Sequence, residues 1–324
     1  MEVIFDLASH SEKVEKKIRI FEQAIVPNKL KPNPIRIERL FLAIDPHIVA
    51  SDLSKNALQV TLNLAKKHQA SVYIACISPT TDEMEITEKL SKEAIQLLES
   101  ENIPVTGSYN FGPPSEHIME LSKQFNPTLI VVPIPWWERV EKLDIERLGT
   151  TVRLVLRKSP FPILLARKSK FPANEIMKSV LLIIDSIGAI KAAEWALTLA
   201  EKGSKITLFS VTEKEIVEKV EEIAQSLLDS EIDKEILERL HLKETQALIT
   251  GVASEAETKG IEVEKKHLVG DRIRLTLEET KENHTILILA TSLKQDNILD
   301  YEVENLARLS RIPILIVKNQ IEPV

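Results

Sequence analysis

The chain has 324 residues, of which 44% are hydrophobic and 28% are charged, and its formal net charge is −7. This length suggests about two domains, and the composition suffices for ordinary buried cores. Lys and Arg are interleaved with Glu rather than gathered in a basic stripe, which argues against nucleic acids and membrane surfaces as partners.

Targeting signals are not evident in the sequence. The first residues, MEVIFDLASHSEK, lack the positive start and apolar centre of a signal peptide, and no apolar run approaches the ~20 residues of a membrane span. The single cysteine, Cys76, lies in the apolar run SVYIACIS and is expected to be a buried thiol. We therefore expect a cytoplasmic protein without a membrane span or a disulfide framework.

Residues 1–36 stand apart from the rest of the chain. Val14, Ile18, Phe21 and Ile25 recur at helical spacing, and the three prolines between Pro27 and Pro34 predict an extended linker. The segment either packs on a neighbouring surface of the protein or serves as an arm that binds a partner.

Residues 37–168 alternate between strand and helix patterns. Apolar runs rich in β-branched residues predict strands, helical spacing of apolar residues predicts the helices between them, and Ser115 is a candidate helix cap. The predicted strands are 39–45, 71–77, IPVTGSYNF, TLIVV and PILLA, and the predicted helices are about 52–70, 82–100, SEHIMELSKQF and the segment from Thr151 to Ser159-Pro160.

After a polar joint at residues 169–176, the pattern starts again over residues 177–318, with residues 319–324 as a tail. Four blocks recur in the same order, which predicts a duplication. The matching pairs are RLFLAIDP and SVLLIIDS, the 57–78 and 192–212 segments, the 102–133 and 260–290 segments, and VRLVLRKSPFPILLAR and VENLARLSRIPILIVK. The helical region 212–259 is nearly twice as long as its counterpart, and two helices broken around residues 230–233 are predicted there.

The alternation predicts an α/β fold with a parallel sheet and helices on both faces. The last strand of each repeat begins with proline, which favours a sheet edge. Two such edges can pair with each other and so remove the hazard of an exposed edge.

Both repeats resemble the universal stress protein domain over about residues 37–318. The resemblance rests on Asp45 and Asp185 at the end of the first strand, on the glycine turns at Gly112 and Gly270-Asp271, and on the closing signatures RKSPFPILLAR and RLSRIPILIVK. It implies two tandem Rossmann-like domains of the adenine nucleotide alpha hydrolase type, each with a five-stranded, mainly parallel sheet. Because domains of this family commonly dimerise through the last strand, it also implies an internal pseudo-dimer, with a homodimer as a further association.

Nucleotide-binding members of the family carry G-x-x-G, nine further residues and G-[ST] after the fourth strand, because glycines let the backbone approach phosphates. This sequence departs from that pattern. Pro133 and Trp136 occupy the first two glycine positions, the following linker is about three residues longer, and only Gly149-Thr150 remains. In the second repeat the loop 290–294, which includes Thr291 and Ser292, lacks glycine altogether. We expect that neither loop forms the usual phosphate cradle.

The candidate binding residues each have a structural alternative. Asp45 and Asp185 would lie near an adenosine, or they form turns; Gly112 and Gly270 would line a crevice, or they only permit the turn. Gly149, Thr150 and Thr151 would hold an anion at a helix start, or they only begin that helix. The adjacent Trp136 and Trp137 either plug the empty site or form an aromatic wall for an apolar ligand or partner.

No catalytic or metal-binding set is visible in the sequence. None of the seven histidines has metal-ligand spacing to another ligand, and no nucleophile elbow or Walker loop occurs. The sequence therefore favours a non-catalytic stress-response protein with degenerate nucleotide sites, which acts through a partner or a non-nucleotide ligand. The alternative is a regulator that binds ATP or AMP at an altered site in residues 37–168, and a weak ATPase is the third hypothesis.

Overall fold

A computed structural model describes residues 30–47, 51–134, 136, 148–184, 188–214, 234–292 and 300–319, with backbone alone for 51, 234–245, 292 and 319. The predicted N-terminal helix and the predicted helix break at residues 230–233 lie outside these ranges. The described part of the chain forms ten strands and eight α-helices.

The first half contains β1 (Arg39–Ile44), α1 (Ser51–His68), β2 (Ser71–Ser78), α2 (Met84–Ser100), β3 (Val105–Phe111), α3 (Pro114–Phe125), β4 (Leu129–Pro133), α4 (Thr150–Lys158) and β5 (Ile163–Ala166). The second half contains β6 (Ser179–Ile183), α5 (Ala189–Leu199), β7 (Lys205–Thr212), α6 (Lys234–Thr258), β8 (Glu262–Val269), α7 (Arg272–Glu279), β9 (Ile286–Ser292), α8 (Tyr301–Leu309) and β10 (Ile314–Asn319).

All ten strands form one sheet, in the order β3-β2-β1-β4-β5-β10-β9-β6-β7-β8. The strand order of the second half is therefore that of the first half, read in the opposite direction across the sheet. Every pairing within a half is parallel, and β5 and β10 form the antiparallel pair that joins the halves. The predicted α/β fold with a mainly parallel sheet is confirmed.

Helices cover both faces of the sheet because alternate residues of the central strands are buried on opposite sides. Leu40 and Leu42 of β1 face one core with α1, α2, α5 and α6, whereas Phe41 and Ala43 face a second core with α3, α4, α7 and α8. Each half thus contributes two helices to each face.

The seam between the halves is a short antiparallel pair of fully apolar residues. Leu164 lies opposite Leu315, its counterpart in the repeat, with Ile163 opposite Ile316 and Leu165 opposite Ile314. A local twofold relation therefore passes through Leu164 and Leu315. Although each last strand begins after a proline, neither lies at an outer edge of the complete sheet.

Two buried cations reinforce this seam in a reciprocal way. Arg167 follows β5 and donates through Nη2 to the carbonyls of Ala307 and Arg308, at 3.1 Å each, in the last turn of α8. Its counterpart Lys318 on β10 donates to the carbonyl of Leu156 in the last turn of α4. Each half thus supplies a cation to the carbonyl end of the other half's closing helix, where the helix dipole favours positive charge.

The chain before β1 crosses to the second half. Leu30 N donates to Ala247 O of α6 at 3.1 Å, and Ile35 N donates to Thr198 Oγ1 of α5 at 2.7 Å. A Cβ on Gly251 of α6 would lie 1.6 Å from Leu30 O. The segment of residues 30–36, called the strap below, therefore packs directly on the backbone of this helix. The predicted linker is therefore extended and packed where it is described.

The expected cap of α3 at Ser115 is wrong. The helix begins at Pro114 with Pro113 at the cap position and has no side-chain cap hydrogen bond. Proline suits the first turn because its missing N–H would be unpaired there anyway.

The Lys318 ammonium predicts a dependence of stability on pH. Burial lowers its pKa from 10.5 to about 8, so the unfolded chain binds more protons between these two values. The stability of the native protein relative to a Lys318→Met variant should therefore rise from pH 8 to pH 10.5, by about 3 kcal/mol at most. Urea unfolding across this pH range tests it, with exposed Lys123→Met as the control, and a difference that does not change with pH would contradict it.

Gly251 gives a second prediction. Alanine normally stabilises a helix interior relative to glycine by about 1 kcal/mol. Here we expect Gly251→Ala to destabilise by about 1–3 kcal/mol because its Cβ collides with Leu30 O. Chemical unfolding measures this, with Thr250→Ala on the exposed side of the same helix as the control. A stabilised Gly251→Ala protein would show that the strap is not held there.

Candidate functional site

Each half has one crevice where the order of the strands reverses, at the carboxyl ends of β1 and β4 and of β6 and β9. Ligands in open α/β sheets bind at such positions. Asp45 and Pro133 lie at the first crevice. Thr291 lies at the second, and Asp185 falls outside the described residues.

Asp45 is 2% exposed and organises the turn after β1. Its Oδ1 accepts a hydrogen bond from His47 N at 3.1 Å, and its backbone carbonyl accepts one from Ser54 Oγ of α1 at 2.9 Å. The residue therefore fixes the entry of the chain into α1, which is the turn-forming role weighed in the sequence.

A second carboxylate, Glu83, lies at the same crevice and was not predicted. Ser78 Oγ, at the end of β2, donates to Glu83 Oε2 at 2.8 Å, and His47 Nε2 lies 3.9 Å from Glu83 Oε1. His47 therefore lies between the two carboxylates, because its backbone N–H bonds to Asp45 and its ring lies beside Glu83. The sequence signal was weak, since Glu83 is one of several acidic residues following β2.

Cys76 lies beneath this crevice and is fully buried. Burial, and then the charge of Asp45, raise the pKa of its thiol to about 12. The protonated thiol is a core residue, as expected from the sequence, and it has no thiolate character at neutral pH.

The turns after β3 and β8 require glycine. Gly112 has φ +123° and Gly270 has φ +149°, a region that side chains with a Cβ rarely adopt. Gly112 N donates to Ser78 O at 3.0 Å, and His117 Nε2 donates to Phe111 O at 2.9 Å, which closes the turn. These interactions account for Gly112 and His117 without a ligand.

The backbone at the first phosphate position is occupied by the sheet. Pro133 has no N–H and pairs with Ala166 as the last residue of β4. The N–H of Ile134 donates to Ala166 O at 3.1 Å. Both positions are therefore without a backbone donor directed at a ligand.

Gly149, Thr150 and Thr151 lie at the start of α4, as the sequence predicted. Gly149 is the cap residue of α4 with φ 77°, its carbonyl accepts from Arg153 N at 3.1 Å, and no side chain caps the helix. Thr150 is exposed and Thr151 is 7% exposed in the first turn. The start of α4 thus keeps the geometry in which a helix end attracts an anion.

Trp136 occupies the position of the second glycine and is 2% exposed. It belongs to the buried cluster that contains Ile134, Leu148 and Val152. Its indole N–H has no hydrogen-bond acceptor in the described part of the chain, which typically costs about 1–3 kcal/mol. Trp136 therefore fills space in the core beside α4, while Trp137 lies outside the described residues.

The second crevice is built differently. Asp271 caps α7, since its Oδ1 accepts from Arg274 N at 2.6 Å. Arg272, which the sequence did not single out, extends to Val211 O at 3.4 Å and to Glu302 Oε2 at 3.3 Å. Thr291 is 4% exposed, and of Ser292 only the backbone is described.

Within the ranges given above, no three His, Cys, Asp or Glu side chains come together in a way that could hold a metal ion. Among the helices of those same ranges, none is both long and apolar enough to cross a membrane.

The comparisons with known proteins assign part of the chain. Residues 177–318 match the universal stress protein family. The chain is also similar in fold to a universal stress protein from Archaeoglobus fulgidus DSM 4304, with a TM-score of 0.59, 18% identity, and coverage of 88% of this chain and 99% of that one.

A functionally unknown protein from Pseudomonas aeruginosa PAO1 has a TM-score of 0.58 and 12% identity, with coverage of 87% and 92%. No curated protein sequence matches the chain. The universal stress protein fold therefore extends over most of this chain, whereas the family match itself covers the second half.

The burial of Trp136 predicts a large structural effect. Trp136→Ala should destabilise by about 3–5 kcal/mol because it empties a packed site. Trp136→Phe should retain most of the stability, since it keeps the ring and removes the unpaired N–H. Denaturant unfolding of both variants tests this, with Tyr301→Ala at a 76% exposed aromatic as the control. A loss in Trp136→Ala no larger than in Tyr301→Ala would rule out the plug role.

Proposed function

We propose that this protein is a cytoplasmic stress-response protein with two tandem universal stress domains, residues 37–168 and 177–318, which form an internal pseudo-dimer. It acts without catalysis, through a partner or a non-nucleotide ligand, because its nucleotide sites are degenerate. The observation that carries the proposal is the backbone at the first crevice, where Pro133 lacks an N–H and that of Ile134 is bonded to Ala166. A phosphate loop depends on such donors.

The charge of the crevice supports the same conclusion. Asp45 and Glu83 bring two carboxylates to the ends of neighbouring strands, and His47 contacts both. A phosphate chain placed directly beside these two carboxylates would be repelled, since like charges interact strongly where water is partly excluded, whereas an adenosine contact of Asp45 would not. A neutral or cationic ligand is compatible with these side chains.

The size and burial of Trp136 also support the proposal that this site is degenerate. The ring lies in the core with Ile134, Leu148 and Val152, and in the sequence pattern it takes the position of the second glycine of a phosphate loop. Opening this space requires displacement of a fully buried aromatic side chain. The cost of such a displacement competes directly with any nucleotide affinity.

One observation favours the alternative, an ATP- or AMP-binding regulator. Gly149 begins α4 with a positive φ and leaves the helix start without a side-chain cap. Together with Asp45 and Gly112, this would form an altered site that retains the helix dipole but not the loop donors. A weak ATPase is the least supported hypothesis, because the sequence contains no recognisable set of catalytic residues.

Thermal unfolding with nucleotides separates these functions. We expect no shift in melting temperature with millimolar ATP, ADP or AMP in the presence of Mg²⁺. A ligand at 100 times its dissociation constant would add about 2.7 kcal/mol to the stability. A shift that disappears in Asp45→Asn would establish the alternative, and phosphate release from ATP above the level of the Asp45→Asn protein would establish the ATPase.

A further inference from the structure

The two outer strands of the sheet differ in how they are protected. β3 and β8 are the terminal strands, and in the repeat Ser108 of β3 corresponds to Lys266 of β8 and Tyr109 to His267. β8 reads EVEKKHLV and carries two Glu and two Lys, whereas β3 reads VTGSYNF and carries no charge. Charged side chains are a common protection of an edge against pairing with another chain. β3 lacks this protection.

Exposed apolar side chains concentrate at the same edge. Six large hydrophobic side chains of the described residues are exposed, and four of them belong to β3 and the adjacent α2. These are Met84, Ile86, Leu97 and Tyr109, the last being 44% exposed. Since α2 packs on β2 and β3, these exposed side chains lie on the helix and the strand at this edge of the sheet.

The hydrogen bonds to β2 define which residues of β3 face outward. Val72 N donates to Pro104 O, and Gly112 N donates to Ser78 O. In this register the backbone groups of the even-numbered residues of β3 point towards β2. The N–H and C=O groups of Val105, Gly107, Tyr109 and Phe111 therefore point to the outer side.

We propose that a second copy of this chain pairs with β3 in antiparallel orientation, about a twofold axis at Ser108. This register places the outward-facing residues opposite one another, Val105 opposite Phe111 and Gly107 opposite Tyr109, so that their backbone groups form the new ladder. The strand is complementary to itself in this arrangement.

The side chains fit the same register. Val105 and Phe111 form an apolar pair, and Thr106 lies opposite Asn110, without like charges. Gly107 cannot be replaced by a larger residue, because its Cβ would lie 2.8 Å from Ile74 O. The Tyr109 ring of the other copy covers this bare glycine, a pairing known to stabilise edge strands.

The same operation at β8 is unfavourable. An axis at Lys266 would place Lys266 opposite itself and Lys265 opposite His267. Like charges directly opposite each other destabilise a strand pair. The second copy therefore uses β3 rather than β8, and the equivalent residues of β8 serve as controls.

The first test is the oligomeric state of the full chain. Sedimentation equilibrium should show a dimer whose dissociation constant rises by about tenfold or more in Tyr109→Lys, because the variant places a charge at the centre of the pair. The matched His267→Lys variant should leave the dissociation constant unchanged, and thermal melting should show that both variants remain folded. A monomer at all concentrations, or a dimer equally stable in Tyr109→Lys, would overturn the proposal.

The second test fixes the register and does not depend on the proposed function. At the axis, Ser108 of both copies forms a non-hydrogen-bonded pair with Cα atoms about 4.5 Å apart, within the range of a disulfide. Ser108→Cys should therefore give a disulfide-linked dimer on mild oxidation, detected by non-reducing electrophoresis, whereas Lys266→Cys should not. Because the one native cysteine, Cys76, is buried, it does not confuse the result. Equal crosslinking of both variants, or none in Ser108→Cys, would contradict the register.

Discussion

The antiparallel pairing of β5 with β10 is the interaction on which the rest of the fold depends. Each half alone would end in an apolar strand edge, and its closing helix would end against that edge with unpaired carbonyls. The seam satisfies the strand edges and the helix carbonyls together. The two edges pair with each other through Leu164 and Leu315. Arg167 and Lys318 donate hydrogen bonds to the helix carbonyls of the opposite half. A buried cation is stable only when its donors are bonded, so strand pairing and helix capping require each other.

The ion pair across the seam adds specificity rather than strength. Arg153 of α4 lies 2.7 Å from Glu304 of α8, and these two residues are counterparts in the repeat. In a symmetric pair of identical halves the same position would bring like charges together. Because both side chains are partly exposed, the pair contributes at most about 1 kcal/mol. Its main consequence is that each half prefers the other half to a second copy of itself.

The sequence predicted the alternation of strands and helices, and it indicated that the two last strands can pair with each other, because hydrophobic periodicity and proline position act locally. Features that depend on distant contacts were not predictable. Glu83 is one acidic residue among several until Ser78 and His47 come near it, and Gly251 is an ordinary glycine until Leu30 packs against it. The sequence left the role of Trp136 open, because a tryptophan after a strand can fill the core or line a binding surface. Its burial beside Leu148 depends on tertiary packing, which the local sequence does not determine.

The first crevice and the seam are connected through neighbouring residues at the ends of β4 and β5. Pro133 extends β4 by pairing with Ala166, and the next N–H, of Ile134, bonds to the carbonyl of the same Ala166. The following residue, Arg167, is the one that reaches α8 of the other half. The N–H of Ile134 thus helps to hold the end of β5, which positions the buried cation of the seam. The geometry at the end of β4 and the joining of the two halves therefore depend on each other.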